Sequence, residues 1–224
     1  MSETRPLPRI PLLLAAVAAF GLLGVAALRM GPERPPGFHG TTYEGDAAAP
    51  AFSLVDHDGR RVTLDSYRGS PVLLFFGYTR CPDVCPLTLQ KLVRATRQAG
   101  RRARGVRILL VTIDPARDTP PVLKQYAARF SPAVTGLTGD SASLAAALRG
   151  YGVYVARTAP APAASHGPHT GHASQDTSSP ARPPMVVHTA AVYGIDRSGN
   201  LQVVISDQAT PSETADDIRT LARL

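Results

Sequence analysis

The feature that most narrows what this chain can fold into is a pair of aliphatic-rich runs, residues 72–76 and 106–113, with a segment of helical spacing between them. Val72-Leu73-Leu74-Phe75-Phe76 shows no alternation with polar residues, the pattern of a strand buried on both faces. Leu87, Leu89, Leu92 and Val93 fit a helix that carries Pro86 in its first turn and closes near Gly100. A strand, a helix and a second buried strand in that order predict a βαβ unit with parallel strands.

The surrounding elements extend this unit. Residues 51–55 and 60–64 flank Asp56-His57-Asp58-Gly59 and predict an N-terminal β-hairpin. Thr119-Pro120 opens a helix through Phe130, and Asp140 caps another through Arg149. Residues 186–195 and 201–205, separated by Asp196-Arg197-Ser198-Gly199-Asn200, predict a second hairpin. Thr210-Pro211-Ser212-Glu213 is a capping box with Pro at the first helical position, and predicts a further helix packed by Ile218 and Leu221. This order defines the α/β class with a thioredoxin-like layout. Residues 158–184 carry six prolines, three histidines and no aliphatic side chain larger than Ala, so this stretch buries too little to order itself and is expected to be a flexible insertion.

A chain of 224 residues, 44% of them hydrophobic, supports one sizeable core, which argues against a disordered chain or a disulfide-stapled mini-protein. Its 24 basic against 17 acidic side chains raise nucleic acid or an acidic membrane surface as partners. Residues 10–28 bear on that choice: this uncharged run lies between Arg9 and Arg29 and would span roughly 28 Å as a helix. Residues 1–30 are therefore read as a transmembrane anchor, with a signal peptide cleaved near Val25-Ala26-Ala27 as the alternative. The basic N-terminal flank predicts that the rest of the chain lies outside the cytoplasm. Export argues against nucleic acid, and the densest basic cluster, Arg94, Arg97, Arg101, Arg102, Arg104 and Arg107, has no interleaved aromatics to stack bases and reads as a solvated face. Residues 31–50 then form a linker, and residues 51–224 the globular domain.

The only two cysteines sit in Cys81-Pro82-Asp83-Val84-Cys85-Pro86, between the first buried strand and the helix. They are too few for a disulfide framework or a four-thiolate zinc site. N–H groups and the dipole at a helix N-terminus stabilise a thiolate, so Cys85 in particular is expected to have a lowered pKa. Two thiols at this spacing can chelate one soft metal ion when reduced or close a disulfide when oxidised, although both can also be plain core thiols. A third ligand would complete an open metal site. His188, after the apolar Met185-Val186-Val187, is the candidate, and His39 and His57 have weaker claims. Two thiolates and an imidazole suit copper, because thiolate selects Cu(I) and imidazole keeps Cu(II) accessible, whereas zinc would seek a fourth ligand.

The segment Phe76-Gly77-Tyr78-Thr79-Arg80-Cys81-Pro82-Asp83-Val84-Cys85-Pro86, the later Ile113-Asp114-Pro115-Ala116-Arg117-Asp118-Thr119-Pro120, and His188 together resemble the SCO/SenC family of copper-binding cytochrome c oxidase assembly proteins. The resemblance covers roughly residues 46–224. It implies a thioredoxin-like domain anchored facing the bacterial periplasm or the mitochondrial intermembrane space, with Cys81, Cys85 and His188 as copper ligands. It also implies delivery of copper to the CuA centre of cytochrome c oxidase subunit II and, in some members, reduction of that centre's cysteines. Two departures stand out. Val187 occupies the position before the ligand His where the family commonly has Asp, and the insertion at 158–184 is longer than usual. Its His166, His169 and His172 suit transient metal capture by a flexible arm, the alternative being a surface insertion without a role. Asp114 and Asp118 either support the site or a partner contact, or serve as loop and helix caps.

Two functions of different kinds follow. One is a metallochaperone, not an enzyme, that binds Cu(I) and passes it on by ligand exchange. The other is a thiol-disulfide oxidoreductase with Cys81 and Cys85 as its catalytic pair, against which the three intervening residues count because thioredoxin-type sites have two. A third, a peroxiredoxin-like peroxidase, draws on Thr79 and Cys81 at a comparable turn, but the paired Cys85 argues against it.

Overall fold

The structure is a computed structural model that describes residues 37–42, 47–157, 186–188 and 190–224, with residues 156–157 and 186–188 described by their backbone. The anchor expected within residues 1–30 and the insertion expected at 158–184 lie outside the described residues. Among the described residues no helix is long and apolar enough to cross a membrane.

From residue 37 the elements run β1 (Thr41–Thr42), β2 (Ser53–Asp56), β3 (Arg61–Thr63), β4 (Val72–Gly77), α1 (Val84–Ala99), β5 (Arg107–Thr112), α2 (Pro120–Ala128), β6 (Val134–Thr138), α3 (Ser141–Gly150), β7 (Val155–Arg157), β8 (Val186–His188), β9 (Val192–Ile195), β10 (Leu201–Ile205) and α4 (Pro211–Leu221). Among the described residues eight strands form one open sheet in the order β1-β10-β9-β4-β5-β6-β2-β3, while β7 pairs with β8 apart from it. The β4–β5 and β5–β6 pairs are parallel and the others antiparallel. Two consecutive parallel steps, each crossed by a helix, with hairpins added at the edges, make the mixed α/β fold that the pattern of runs predicts. β4 is its centre: all six of its residues are buried, and Leu73, Leu74, Phe75 and Phe76 have no exposed surface.

α1 turns Leu89, Leu92, Val93 and Ala95 inward and packs against α4. Lys91 reinforces the contact by donating from Nζ to the backbone carbonyls of Ser206, Asp207 and Ala209 at 3.2, 2.9 and 3.1 Å. The capping box before α4 is formed, with the Glu213 N–H donating to Thr210 Oγ1 at 3.2 Å and the Thr210 N–H donating to the Glu213 carboxylate at 2.8 Å.

Three elements depart from the sequence pattern. β6 has only five residues and is interrupted by Gly136, so it lacks the unbroken apolar run of β4 and β5. That glycine has a packing role, because a Cβ there would lie 2.7 Å from Cβ of Leu123 on α2. The strand expected over 186–195 divides into β8, paired with β7, and β9, which lies between β4 and β10. The segment read as a linker contributes β1, with Thr41 and Thr42 opposite Val204 and Val203. The buried Asp217 carboxylate on α4 holds it there, accepting the His39 N–H at 2.6 Å and the Gly40 N–H at 3.2 Å. A two-residue strand tied by a side chain so distant in sequence leaves no local signature.

Removing that acceptor strands two backbone donors. Asp217→Ala is expected to lower unfolding free energy by about 2 kcal/mol and to move the first site of limited proteolysis into residues 37–50, as read by denaturant melts and mass mapping.

Candidate metal centre

The cysteine turn leaves the sheet where the parallel strands end, the edge at which ligand sites of open α/β sheets gather. The chain exits β4 at Gly77, whose carbonyl accepts the Ile113 N–H from the end of β5 at 2.9 Å. The Cys81 N–H then donates to the Tyr78 carbonyl at 3.3 Å, closing a turn. α1 begins at Val84, so both Cys85 and Pro86 lie within its first turn, as expected for Pro86. Pro86 is tolerated there because a helix's first N–H groups have no partner inside the helix.

The two sulfurs occupy unlike environments. Cys81 is partly exposed and its Sγ accepts the Cys85 backbone N–H at 3.4 Å, so a first-turn N–H of α1 is directed at Cys81. Cys85 is 0% exposed and packs under β4, where a Cβ on Gly77 would fall 2.9 Å from its Sγ. Burial pushes the Cys85 thiol well above its ordinary range; a hydrogen bond with the Tyr78 backbone opposes this and the neighbouring Cys81 sulfur adds to it. The lowered pKa expected at Cys85 is therefore overturned. Desolvation against the sheet outweighs the helix terminus.

Asp118 locks the turn. It has no exposed surface, and its Oδ1 accepts the Thr79 hydroxyl at 2.5 Å, while Oδ2 accepts the Thr79 N–H at 3.1 Å and the Thr112 hydroxyl at 2.6 Å. Asp114 shapes the same loop: its carbonyl accepts the Asp118 N–H at 2.9 Å and its carboxylate pairs with Arg117 at 2.8 Å. Asp118 thus supports the cysteine turn directly, and Asp114 does so through the loop. Tyr126 of α2 lies close to the pair: burial, followed by the Cys85 and Cys81 sulfurs, raises its pKa, and its hydroxyl has no hydrogen-bond partner among the described residues.

The histidines are placed differently. His188 ends β8 with its backbone opposite Val155, and four residues later Val192 pairs with Phe75 of β4. The His188 side chain and His166, His169 and His172 lie outside the described residues. His57 Nδ1 accepts the Gly136 N–H at 3.2 Å, a structural role in the sheet. His39 faces Asp216 on α4 at 3.7 Å. Among the described residues no group of three or more His, Cys, Asp and Glu side chains converges on one point.

Arg94 and Arg97, read from the sequence as part of a solvated face, and residues of α2 that the sequence pattern did not assign to the site complete the surroundings of Cys81. A cavity of about 690 Å³ opens beside it, walled by Arg94 and Arg97 of α1 and by Tyr126, Arg129 and Phe130 at the end of α2. The i, i+3 spacing of Arg94 and Arg97 was the available signal, but nothing local pairs them with α2.

An open α/β sheet with a dithiol at the end of its central parallel strand defines a thioredoxin-like domain built for thiol or soft-metal chemistry. The SCO1/SenC family model matches residues 40–223, and the chain belongs to that family. The mitochondrial SCO2 homolog of Bos taurus is 41% identical over 151 residues, which cover 65% of this chain and 57% of the bovine protein. A SCO2-like protein of Rickettsia conorii is 29% identical over 204 residues, covering 88% of this chain and 91% of its own. Among solved structures, Bradyrhizobium japonicum ScoI with copper bound is similar at TM-score 0.61 and 34% identity, over 78% of this chain and 99% of that one. Arabidopsis thaliana ScoI with copper bound is similar at TM-score 0.65 and 27% identity, over 79% and 99%.

In the reduced protein at neutral pH, iodoacetamide is expected to label Cys81 on the order of tenfold or more faster than Cys85, read by peptide mass mapping. Equal rates would contradict the buried position of Cys85. Gly77→Ala drives a methyl into Cys85 Sγ and should cost about 1–3 kcal/mol of stability in urea denaturation.

Proposed function

We propose that this protein is a copper metallochaperone that holds Cu(I) through Cys81, Cys85 and His188 and delivers it to the CuA site in cytochrome c oxidase subunit II during assembly. The observation that carries this reading is the Cys81/Cys85 pair at the first turn of α1, one sulfur open to an incoming partner and the other buried. Two thiolates are the soft donors that select Cu(I). His188 as the third ligand is supported by topology, since the chain following it enters the sheet beside the end of β4, from which the cysteine turn also departs. SCO1/SenC membership and the relatives solved with copper bound support the cargo. Low coordination serves transfer: an acceptor thiolate can join the ion at the Cys81 side before the older bonds are lost. An anchor within residues 1–30 would hold the domain at a membrane with the site outside the cytoplasm, as on the periplasmic face of a bacterial inner membrane.

The unlike cysteines also favour one second reading, a thiol-disulfide reductase. The Cys81 thiolate would attack a partner disulfide and release one partner thiolate. Cys85 would then attack the Cys81 sulfur and release the other, so that the partner gains two electrons and the pair closes as a disulfide. Regeneration needs an external thiol reductant.

A competition titration of Cu(I) into the reduced domain separates the readings. One tight equivalent, abolished in Cys81→Ala and Cys85→Ala and weakened in His188→Ala, is expected for the chaperone. Weak binding in the wild type, with a pair that cycles readily between dithiol and disulfide, would favour the reductase. The raised Cys85 pKa keeps that thiol protonated at neutral pH. Copper must expel its proton, so apparent Cu(I) affinity should rise with pH, by up to about tenfold per unit for one proton released.

A further inference from the structure

We infer that the groove beside Cys81 is a docking site for an acidic peptide segment of the protein with which the cysteine pair exchanges its cargo. The groove, about 690 Å³, is lined in part by Cys81, the less buried of the two cysteines. Arg94 and Arg97 reach it from α1 and Arg129 from the end of α2; all three residues are exposed. None of the three forms an ion pair with a described residue, and no carboxylate is among the described residues lining the groove. Arg60, Arg68, Arg117 and Arg219 each face an aspartate, and other exposed arginines such as Arg101 and Arg102 have no ion pair with a described residue either; Arg94, Arg97 and Arg129 differ from these in converging on one groove.

An acidic stretch of peptide supplies the missing carboxylates, and the guanidinium forks suit them in two-point contacts. The groove also offers more than charge. Phe130 and Tyr126 meet edge to face at 5.2 Å along it, giving an apolar floor for a peptide backbone or an aromatic side chain. Tyr126 is only 7% exposed, and its hydroxyl is a donor without an acceptor among the described residues. A bounded groove with an aromatic floor fits a peptide better than a flat lipid surface, which would ask for a broad basic face. The cluster read from sequence as a solvated face is thus divided: Arg94 and Arg97 line the groove, whereas Arg101 and Arg102 follow α1 and lie outside it.

This inference rests on the proposed exchange with a partner protein, and its test uses no copper, so the two can fail separately. The probe is a short fluorescein-labelled peptide of Glu and Ser, with a Lys/Ser peptide as control and phosphatidylglycerol vesicles as the membrane arm. The acidic peptide should bind the reduced domain in fluorescence anisotropy, weaken with added salt, and slow alkylation of Cys81. Combined Arg94→Glu and Arg129→Glu should weaken binding by about tenfold or more, while Arg101→Glu with Arg102→Glu, an equal change of net charge, should leave most of it. Circular dichroism establishes that each variant is folded, and Cu(I) titration reports separately on the cysteine pair. Absence of binding to the wild type, equal losses in the two double variants, or no protection of Cys81 would overturn the assignment. So would vesicle binding that depends on Arg94 and Arg129 without peptide binding, which would make this face a membrane contact.

Discussion

The Asp118 carboxylate, wholly buried and held by Thr79 and Thr112, is the interaction on which the site depends. A buried carboxylate without partners costs several kcal/mol, and the three donors here offset that cost. Two come from the residue two places before Cys81 and one from the last residue of β5. Asp118 therefore clamps the cysteine turn to the strand next to β4 and sets the direction in which the chain enters α1. Its own loop is tied back through Asp114.

Given that clamp, the two thiols cannot be equivalent. The turn holds Cys81 at the surface with a helix N–H against its sulfur, and the first helical turn carries Cys85 under Gly77. Only a residue without a Cβ lets the sulfur approach β4 so closely. On the proposed copper reading, the buried sulfur of Cys85 would favour retention of the ion and the partly exposed sulfur of Cys81 its handover. The same division gives a reductase its resolving and attacking cysteines, which is why the copper and redox readings share one geometry.

The surroundings of Cys81 join elements that are far apart in sequence. α1 supplies two arginines, and α2 supplies the aromatic floor and a third arginine. The close seating of α2 on β6 at Gly136 brings its end toward α1. The approach to Cys81 is thus a basic, partly aromatic surface.

Much of the fold was legible because its signals are local. The unbroken run of β4, the capping box before α4 and the two hairpin turns depend on residues a few positions apart, and the elements they predicted are present, with the strand expected over 186–195 divided in two. β1 and β6 escaped notice, one held by Asp217 from the far end of the chain and the other broken by a glycine that matters only once α2 is in place. By itself the sequence determined the central strand–helix–strand order of β4, α1 and β5 and the sharing of one turn by Cys81 and Cys85. Tertiary structure decided which thiol is buried, what the Asp118 carboxylate holds and which arginines share a groove. Desolvation and charge pairing depend on neighbours that β5, α2 and β4 bring together only when the sheet has formed.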